Sequence, residues 1–469
     1  MKLIYGIKDR PKLGQVIIFA IQQLLAIMAA TLVVPVIINT SGSMPPFAPQ
    51  MSSAAALFGA GIGTLVYLLF TRFKSPVFLG SSFAFIGSMC SAFAGAISAQ
   101  AGYLGLIIGA VCAGLVYVVI ALIVKFAGVK WISKLMPAVV IGPTVAIIGL
   151  SLAGNAIGDL QTAPAGGSVY VAILCGLVTL AVTMLCATFG KKMIRLIPFI
   201  MGILAGYAVA TVFTVIGNVA DIDALKVINF APLTNLFTDF SIKSIVSVPD
   251  FTFVEALKGV KDIDAAYVGT VAVAYAPVAF VVFAEHIADH KNLSTIIESD
   301  LLEEPGLHNT LLGDGVGSMA GAIFGGCPNT TYGESVGCVA ITGNASVITI
   351  LTTAIMAIVI SFLSPFVAFV NTIPSCVMGG VCMALYGFIA VSGLKMIQKV
   401  DLEQNRNLFV VSVILITGIG GLSVSFGKVT LTTIACALIL GILANVMLGR
   451  KDKKKDEEAP ASEDNTYEL

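Results

Sequence analysis

The sequence predicts an all-α polytopic membrane protein of 14 transmembrane segments arranged as a 7+7 inverted repeat. Three observations predict it: the composition, the spacing of the apolar runs, and the side on which the cations fall. Of 469 residues, 57% are apolar or aromatic and 11% are charged, with a mean hydropathy of +0.99. Soluble proteins carry about 25% charged residues, so lipid is the main solvent here and an ordinary soluble enzyme is excluded. Lys plus Arg equals Asp plus Glu at 26 each. That balance leaves no net field to draw polyanions, and no nucleic-acid partner is expected.

A membrane crossing takes about 20 apolar residues. Runs of that kind fall near 15–38, 52–70, 77–98, 103–126, 137–154, 169–189 and 196–217. After a polar stretch at 218–263, seven more fall near 265–287, 307–326, 328–345, 347–370, 376–394, 407–425 and 429–449. The first run is too long for the apolar part of a secretory signal and has no small-residue cleavage site, so it is expected to be retained as a membrane helix. The stretch 218–263 is expected to be an extracytoplasmic loop. The segment 450–469 is charged, with little to bury, and is expected to be a disordered cytoplasmic tail. The nine cysteines lie in apolar stretches with no CxxC pair and are expected to pack as small hydrophobes.

Lys and Arg concentrate on the cytoplasmic side of membrane proteins. With both termini inside, the inside set is Lys2, Lys8, Arg10, Lys12, Arg72, Lys74, Lys125, Lys130, Lys134, Lys191, Lys192, Arg195, Lys291, Lys395, Lys399, Arg406, Arg450, Lys451, Lys453, Lys454 and Lys455, which is 21 of 26. Of the others, Lys226, Lys243, Lys258 and Lys261 fall in the long loop, where the rule is weakest, and the last is Lys428. A wrong span count would scramble this alternation. An odd-numbered half followed by its equivalent must insert upside down, the inverted repeat common among secondary transporters of cell (inner or plasma) membranes.

The third span of each half is interrupted. Span three opens with residues 75–85 (SPVFLGSSFAF) and span ten with residues 327–337 (CPNTTYGESVG), each holding a proline, strand-favouring residues and a glycine before a helical continuation. Matched interruptions are the sequence pointer to a midplane binding site. Extended backbone at that depth is tolerated where protein buries it or where it lines a polar cavity, and its free amides then face a ligand. The alternative is a pair of glycine-kinked packing helices.

Acids inside spans are scarce and each costs a few kcal/mol at the bilayer centre, so they mark functional sites by default. Three stand out: Glu285 in residues 283–290 (FAEHIADH), Asp314 between two glycines, and Glu334 after the interruption of span ten. Glu285 and Asp289 are one turn apart and share a face. Neither the Glu285 span nor the Glu334 span holds a Lys or Arg to make a structural ion pair. Asp314 is equally readable as a hinge or cap near a cytoplasmic end. His286, His290 and His308 are not spaced like metal ligands; His286 is expected to cap or pack and His308 to lie in a cytoplasmic loop. No metal and no cofactor is expected.

Residues 80–86 (GSSFAFI), Ala284-Glu-His286, Pro305-Gly-Leu-His308 and above all residues 328–334 (PNTTYGE) resemble the uracil-permease branch of the nucleobase:cation symporter-2 family, also called nucleobase-ascorbate transporters. The resemblance runs through essentially all 14 spans. The family signature after span ten is an acid, Gln or Pro, then Asn, any residue, Gly, four residues, Thr, and a basic residue or Gly. Glu334, Gly337, Thr342 and Gly343 meet it, while Ser335 stands where Asn is usual.

The resemblance implies short antiparallel β-strands in spans 3 and 10 that cross near the midplane. It also implies a core domain (1–135 with spans 1–4, 264–371 with spans 8–11) and a gate domain (136–217 with spans 5–7, 372–449 with spans 12–14). Proton-driven uptake and a homodimer formed through the gate are implied as well. By motif, Glu285 and Glu334 are similar to the two carboxylates that hold the base, completed by the backbone of Phe83 and Gly333. Glu rather than Gln at 334 favours uracil over purines. Glu285, Glu334, Asp289 and Asp314 are the proton-coupling candidates. Two departures stand out: the family's Gln-His in the first span is Gln22-Gln23 here, and the His often found one turn after the span-eight Glu is Asp289, with His290 about 100° away around the helix.

The chemistry agrees. Uracil has two ring N–H donors and two carbonyl acceptors, so carboxylates at 285 and 334 accept while amides at 83 and 333 donate. Cytosine turns a carbonyl into an amine and sets donor against donor, at about 1–3 kcal/mol for each buried group left unpaired. Protonation of one carboxylate removes repulsion within the site, so proton and base bind together and the empty or doubly loaded core moves against the gate. The nearest rival is a purine permease of the same family. An anion exchanger of related architecture would offer cations and helix N-termini rather than acids. A channel would show repeated filter residues or symmetric pore acids, and a membrane enzyme a nucleophile–base pair or metal cluster.

Overall fold

Lipid offers no hydrogen bonds to peptide groups, so apolar runs wind into helices that satisfy their own backbone. The computed structural model describes residues 3–45, 48–128, 137–191, 193–238, 241–426 and 429–456. In chain order it runs α1 (Leu13–Thr40), α2 (Ser53–Phe70), β1 (Leu79–Ser81), a 3-10 turn (Phe83–Phe85), α3 (Ile86–Ala94), α4 (Ala99–Ala127), α5 (Ala138–Ser151), α6 (Ala153–Leu160), α7 (Val169–Phe189), α8 (Met193–Leu196) and α9 (Pro198–Ala220). The long loop carries α10 (Ala231–Thr238) and α11 (Thr252–Lys258). There follow α12 (Ala265–Ile297), α13 (Leu307–Gly325), β2 (Asn329–Thr331), α14 (Gly333–Thr342), α15 (Val347–Ser361), α16 (Ser364–Thr372), α17 (Ser375–Ile397), α18 (Asn405–Ile419), β3 (Val424–Phe426), β4 (Val429–Leu431) and α19 (Thr433–Asp456).

Among the described residues, eight helices are long and apolar enough to cross a membrane, the first Leu13–Thr40 and the last Ser375–Ile397. Several run boundaries move. The run at 265–287 is the start of a helix that continues to Ile297, because the polar residues that lower its hydropathy find partners inside the protein. The run at 347–370 breaks between Ser361 and Ser364, where Leu363 makes a bridge to Val246 of the long loop. The boundary between the last two runs is a small hairpin, β3 with β4. Helix α19 continues through Asp456, so the first part of the segment expected to be a disordered tail is helical. Residues 457–469 of that segment, and Lys2, Lys130, Lys134, Lys192 and Lys428 of the charge count, lie outside the described residues.

The helices pack as two bundles. In the first, α2 lies against α13, α4 against α12 and α13, and α15 against α1 and α2. The approach is close: a Cβ at Gly63 would stand 2.8 Å from the Gly317 carbonyl oxygen, so only glycine lets the two backbones meet. In the second, α17 packs on α5, α6 and α7, α9 on α7, and α18 on α5 and α19. On the first bundle's surface Lys74 reaches Glu304 at 2.5 Å. That hydrogen bond and the lysine's charge hold the Glu304 carboxyl below its usual value.

Candidate functional site

The two interrupted segments meet. β1 and β2 pair antiparallel with Leu79 opposite Thr331, Gly80 opposite Thr330 and Ser81 opposite Asn329. The ladder extends through Ser82 N–H to the Pro328 carbonyl (2.9 Å) and Tyr332 N–H to the Phe78 carbonyl (3.3 Å). The Tyr332 ring lies over Gly80, where any Cβ would collide with it, and its hydroxyl donates to the Ser81 carbonyl at 2.7 Å. Proline and short β-favouring residues keep both segments extended, and each then turns directly into a helix start, at Phe83 and at Gly333. No side chain caps either start, and the first-turn amides of a helix have no intrahelical partner.

These helix starts open into a cavity of about 390 Å³ between the two bundles, within the size range of small-molecule sites. The first bundle contributes Phe83, Glu285, Asp289, Thr331, Gly333 and Glu334, and the second contributes Val145, Ile148, Phe199, Leu385, Phe388 and Met396. Glu285 and Asp289, one turn apart on α12, are half-buried there, and Glu334 sits in the first turn of α14, where a helix N-terminus favours negative charge. Phe83 packs edge-on to Tyr386 of the second bundle, ring centres 6.1 Å apart. Among the described residues no Lys or Arg lines the cavity. It presents hydrogen-bond acceptors on carboxylates and donors on backbone amides, framed by apolar walls.

Five of the residues singled out in the sequence, Phe83, Glu285, Asp289, Gly333 and Glu334, are brought together here. Asp289 is already engaged: the Thr331 hydroxyl donates to its carboxylate at 2.8 Å, tying α12 to β2. Asp314 lies elsewhere. It caps no helix: it is buried inside α13, with Oδ2 2.7 Å from His286 Nδ1. His286 Nε2 is 3.0 Å from the Thr310 hydroxyl. The displaced His290 also turns into the first bundle, stacks on His286, and pairs with the Tyr67 hydroxyl at 2.7 Å. Thus α12 shows one face of acids to the cavity and one of histidines to the core. Among the described residues, no group of three or more His, Cys, Asp and Glu is placed to hold a metal ion.

Sequence reasoning missed Thr331, although it lies within the interrupted run, and missed the entire wall from the second bundle. Leu385, Phe388 and Met396 carry no signal that separates them from any other membrane-helix residue.

A family model described as the Permease family matches residues 14–426. The uracil permease of Bacillus caldolyticus is 36% identical over 450 residues, which cover 95% of each chain. That of Bacillus subtilis (strain 168) is 36% identical over 470 residues, 98% of each. Among solved structures, the transmembrane domain of the cyanobacterium bicarbonate transporter BicA superposes with a TM-score of 0.59 at 16% identity, covering 94% of this chain and all of that one, a likeness of fold alone. With the family match spanning nearly the whole chain and a cavity held between two bundles of membrane helices, this protein belongs to the permease family.

Proposed function

We propose that this protein imports uracil by proton symport, with Glu285 and Glu334 holding the base, the backbone amides of Phe83 and Gly333 completing its hydrogen bonds, and the first bundle moving as a core against the second as a gate. The observation that carries this reading is the single cavity where an acidic helix face meets two uncapped helix starts on crossed strands. Uracil's two N–H groups face carboxylate acceptors and its two carbonyls face amide donors. The full-length likeness to uracil permeases supports the substrate.

The coupling proton goes to a carboxylate of the cavity, Glu285, Glu334 or Asp289, because protonation there relieves repulsion where the base binds. Asp314 is held by His286 away from the base, which supports a structural role for it. The cavity lies between the bundles rather than within one, so relative motion of core and gate would open it to either side in turn. The same reading takes 14 spans in a 7+7 inverted repeat, both termini cytoplasmic, a cell (inner or plasma) membrane location and a homodimer joined through the gate. An anion exchanger is disfavoured by the acids and the absence of a lining cation among the described residues.

The test is uptake of labelled uracil into proteoliposomes with and without an inward proton gradient, with xanthine, cytosine and thymine as competitors. Gradient-driven accumulation blocked by unlabelled uracil and not by xanthine is expected. Block by xanthine would move the chain to the purine branch, and gradient-independent equilibration would retire the proton role of the carboxylates. Accumulation by both Glu285→Gln and Glu334→Gln at the wild-type level would sink the mechanism.

A further inference from the structure

Two buried polar residues 312 positions apart touch each other. Gln23 stands on α1 and Ser335 on the first turn of α14, two of the positions at which this chain departs from the motifs it otherwise resembles. Both are buried, at 3% and 0% exposure. Gln23 Nε2 donates to Ser335 Oγ, and the same oxygen accepts the Phe78 backbone N–H at 3.1 Å. A hydroxyl has two acceptor lone pairs, so one oxygen joins α1, the residue before β1, and the start of α14. Gly333 and Glu334 immediately precede Ser335, and β1 leads on to Phe83, so this junction lies behind both helix starts that open into the cavity.

We propose that Gln23 and Ser335 are a matched positioning pair that sets the start of α14 against β1, and through it the placing of the Gly333 amide and the Glu334 carboxylate toward the base; this rests on the assignment of those two groups to uracil. The match is one of reach. Asn at 335 carries its polar atoms one bond further from the backbone than Ser and drives them into the Gln23 amide. His at 23 puts a rigid ring where the Gln side chain bends to meet a short hydroxyl. Either change alone breaks the junction, whereas both together replace a long–short pair by a pair of the other shape.

The experiment is a double-mutant cycle on the full chain in proteoliposomes: Gln23→His, Ser335→Asn and both, with KM, Vmax per reconstituted transporter, and equilibrium uracil binding to the purified protein. Each single change is expected to raise KM and the dissociation constant about tenfold, the scale of one buried hydrogen bond, with Vmax per transporter little changed. The double variant is expected to return to within about threefold of wild type, a coupling that independent sites do not show. Single effects that multiply in the double variant overturn the pairing, as does a fall in folded protein with KM unchanged. If a single variant does not fold, Ser335→Thr, which keeps the oxygen, and Ser335→Ala, which removes it, decide the matter. Thr at wild-type KM with Ala raised supports the junction, and Ala at wild-type KM overturns it. Glu334→Gln in the same binding assay separates the two levels: if it leaves uracil affinity intact, the base assignment fails, and if it weakens affinity while the cycle shows no coupling, only the pair fails.

Discussion

Gly333 is exposed to the cavity, and a Cβ added there would meet only Asp289 Oδ1, at 3.8 Å. Gly333→Ala is therefore expected to fold normally and to weaken uracil binding by about tenfold, since an added methyl in a fitted site costs roughly 1–3 kcal/mol; binding and thermal stability measured on the same preparation check this. Asp314 reads the other way. Asp314→Ala leaves the buried His286 Nδ1 without its partner, and a loss of stability of roughly 1–3 kcal/mol is expected, visible as a lower Tm in detergent. At the surface, Lys74 holds the Glu304 carboxyl below its usual value. Its stabilisation is present above the unfolded-state pKa and is lost as pH falls through the lower folded-state one. The Tm of wild type and of Glu304→Gln should differ slightly at neutral pH, since the pair is exposed, and converge in acid. The residues of this scale that sequence made legible are the acids, because charge inside an apolar run is conspicuous. Which acid faces the cavity and which faces His286 was not, because that depends on how α12 and α13 are rotated in the bundle.

The two strands that position the helix starts of the site are only three residues each. β1 and β2 were legible as interruptions, since Pro76 and Pro328 followed by strand-favouring residues and a glycine do not read as helix. Their register was not, because the pairing joins residues about 250 positions apart. Tyr332 fixes that register by covering Gly80 and donating to Ser81. Gly80→Val is expected to prevent the crossing and abolish uracil binding, while Tyr332→Phe, which keeps the ring and loses the 2.7 Å bond to the Ser81 carbonyl and the longer 3.4 Å one from the Thr31 hydroxyl, should cost about 1 kcal/mol of stability; binding and denaturation of both variants distinguish ring from hydroxyl. The hairpin of β3 and β4 went unread because Val424, Phe426, Val429 and Leu431 look like the continuation of an apolar run. The full length of α12 is hidden in the sequence because its last turns carry polar residues, among them Asp289 and His290, whose partners lie on β2 and α2.

At the scale of the molecule, the cavity exists only because two bundles are apposed. Met28 of α1 and Ile200 of α9 both line a second, apolar cavity of about 180 Å³ between the bundles. If core and gate move, a disulfide-length tether between Met28→Cys and Ile200→Cys should arrest uptake, leave equilibrium uracil binding in place, and release on reduction, with each single cysteine variant as the control for the native thiols. Full uptake by the tethered protein would sink the moving-bundle reading. The amino-acid sequence alone determined the solvent, the succession of apolar runs, the two interruptions, the scarce acids and the family, because composition, hydropathy and local motifs are properties of contiguous residues. Only the tertiary structure decided that Phe83, Glu285, Asp289, Gly333 and Glu334 share one cavity, that Asp314 stands outside it, that Gln23 meets Ser335, and that Leu385, Phe388 and Met396 close the other wall. Those facts are contacts between helices distant in the chain. In lipid the outer faces of such helices are as apolar as their packed faces, so the hydrophobic pattern that orients a helix in a water-soluble protein is largely missing.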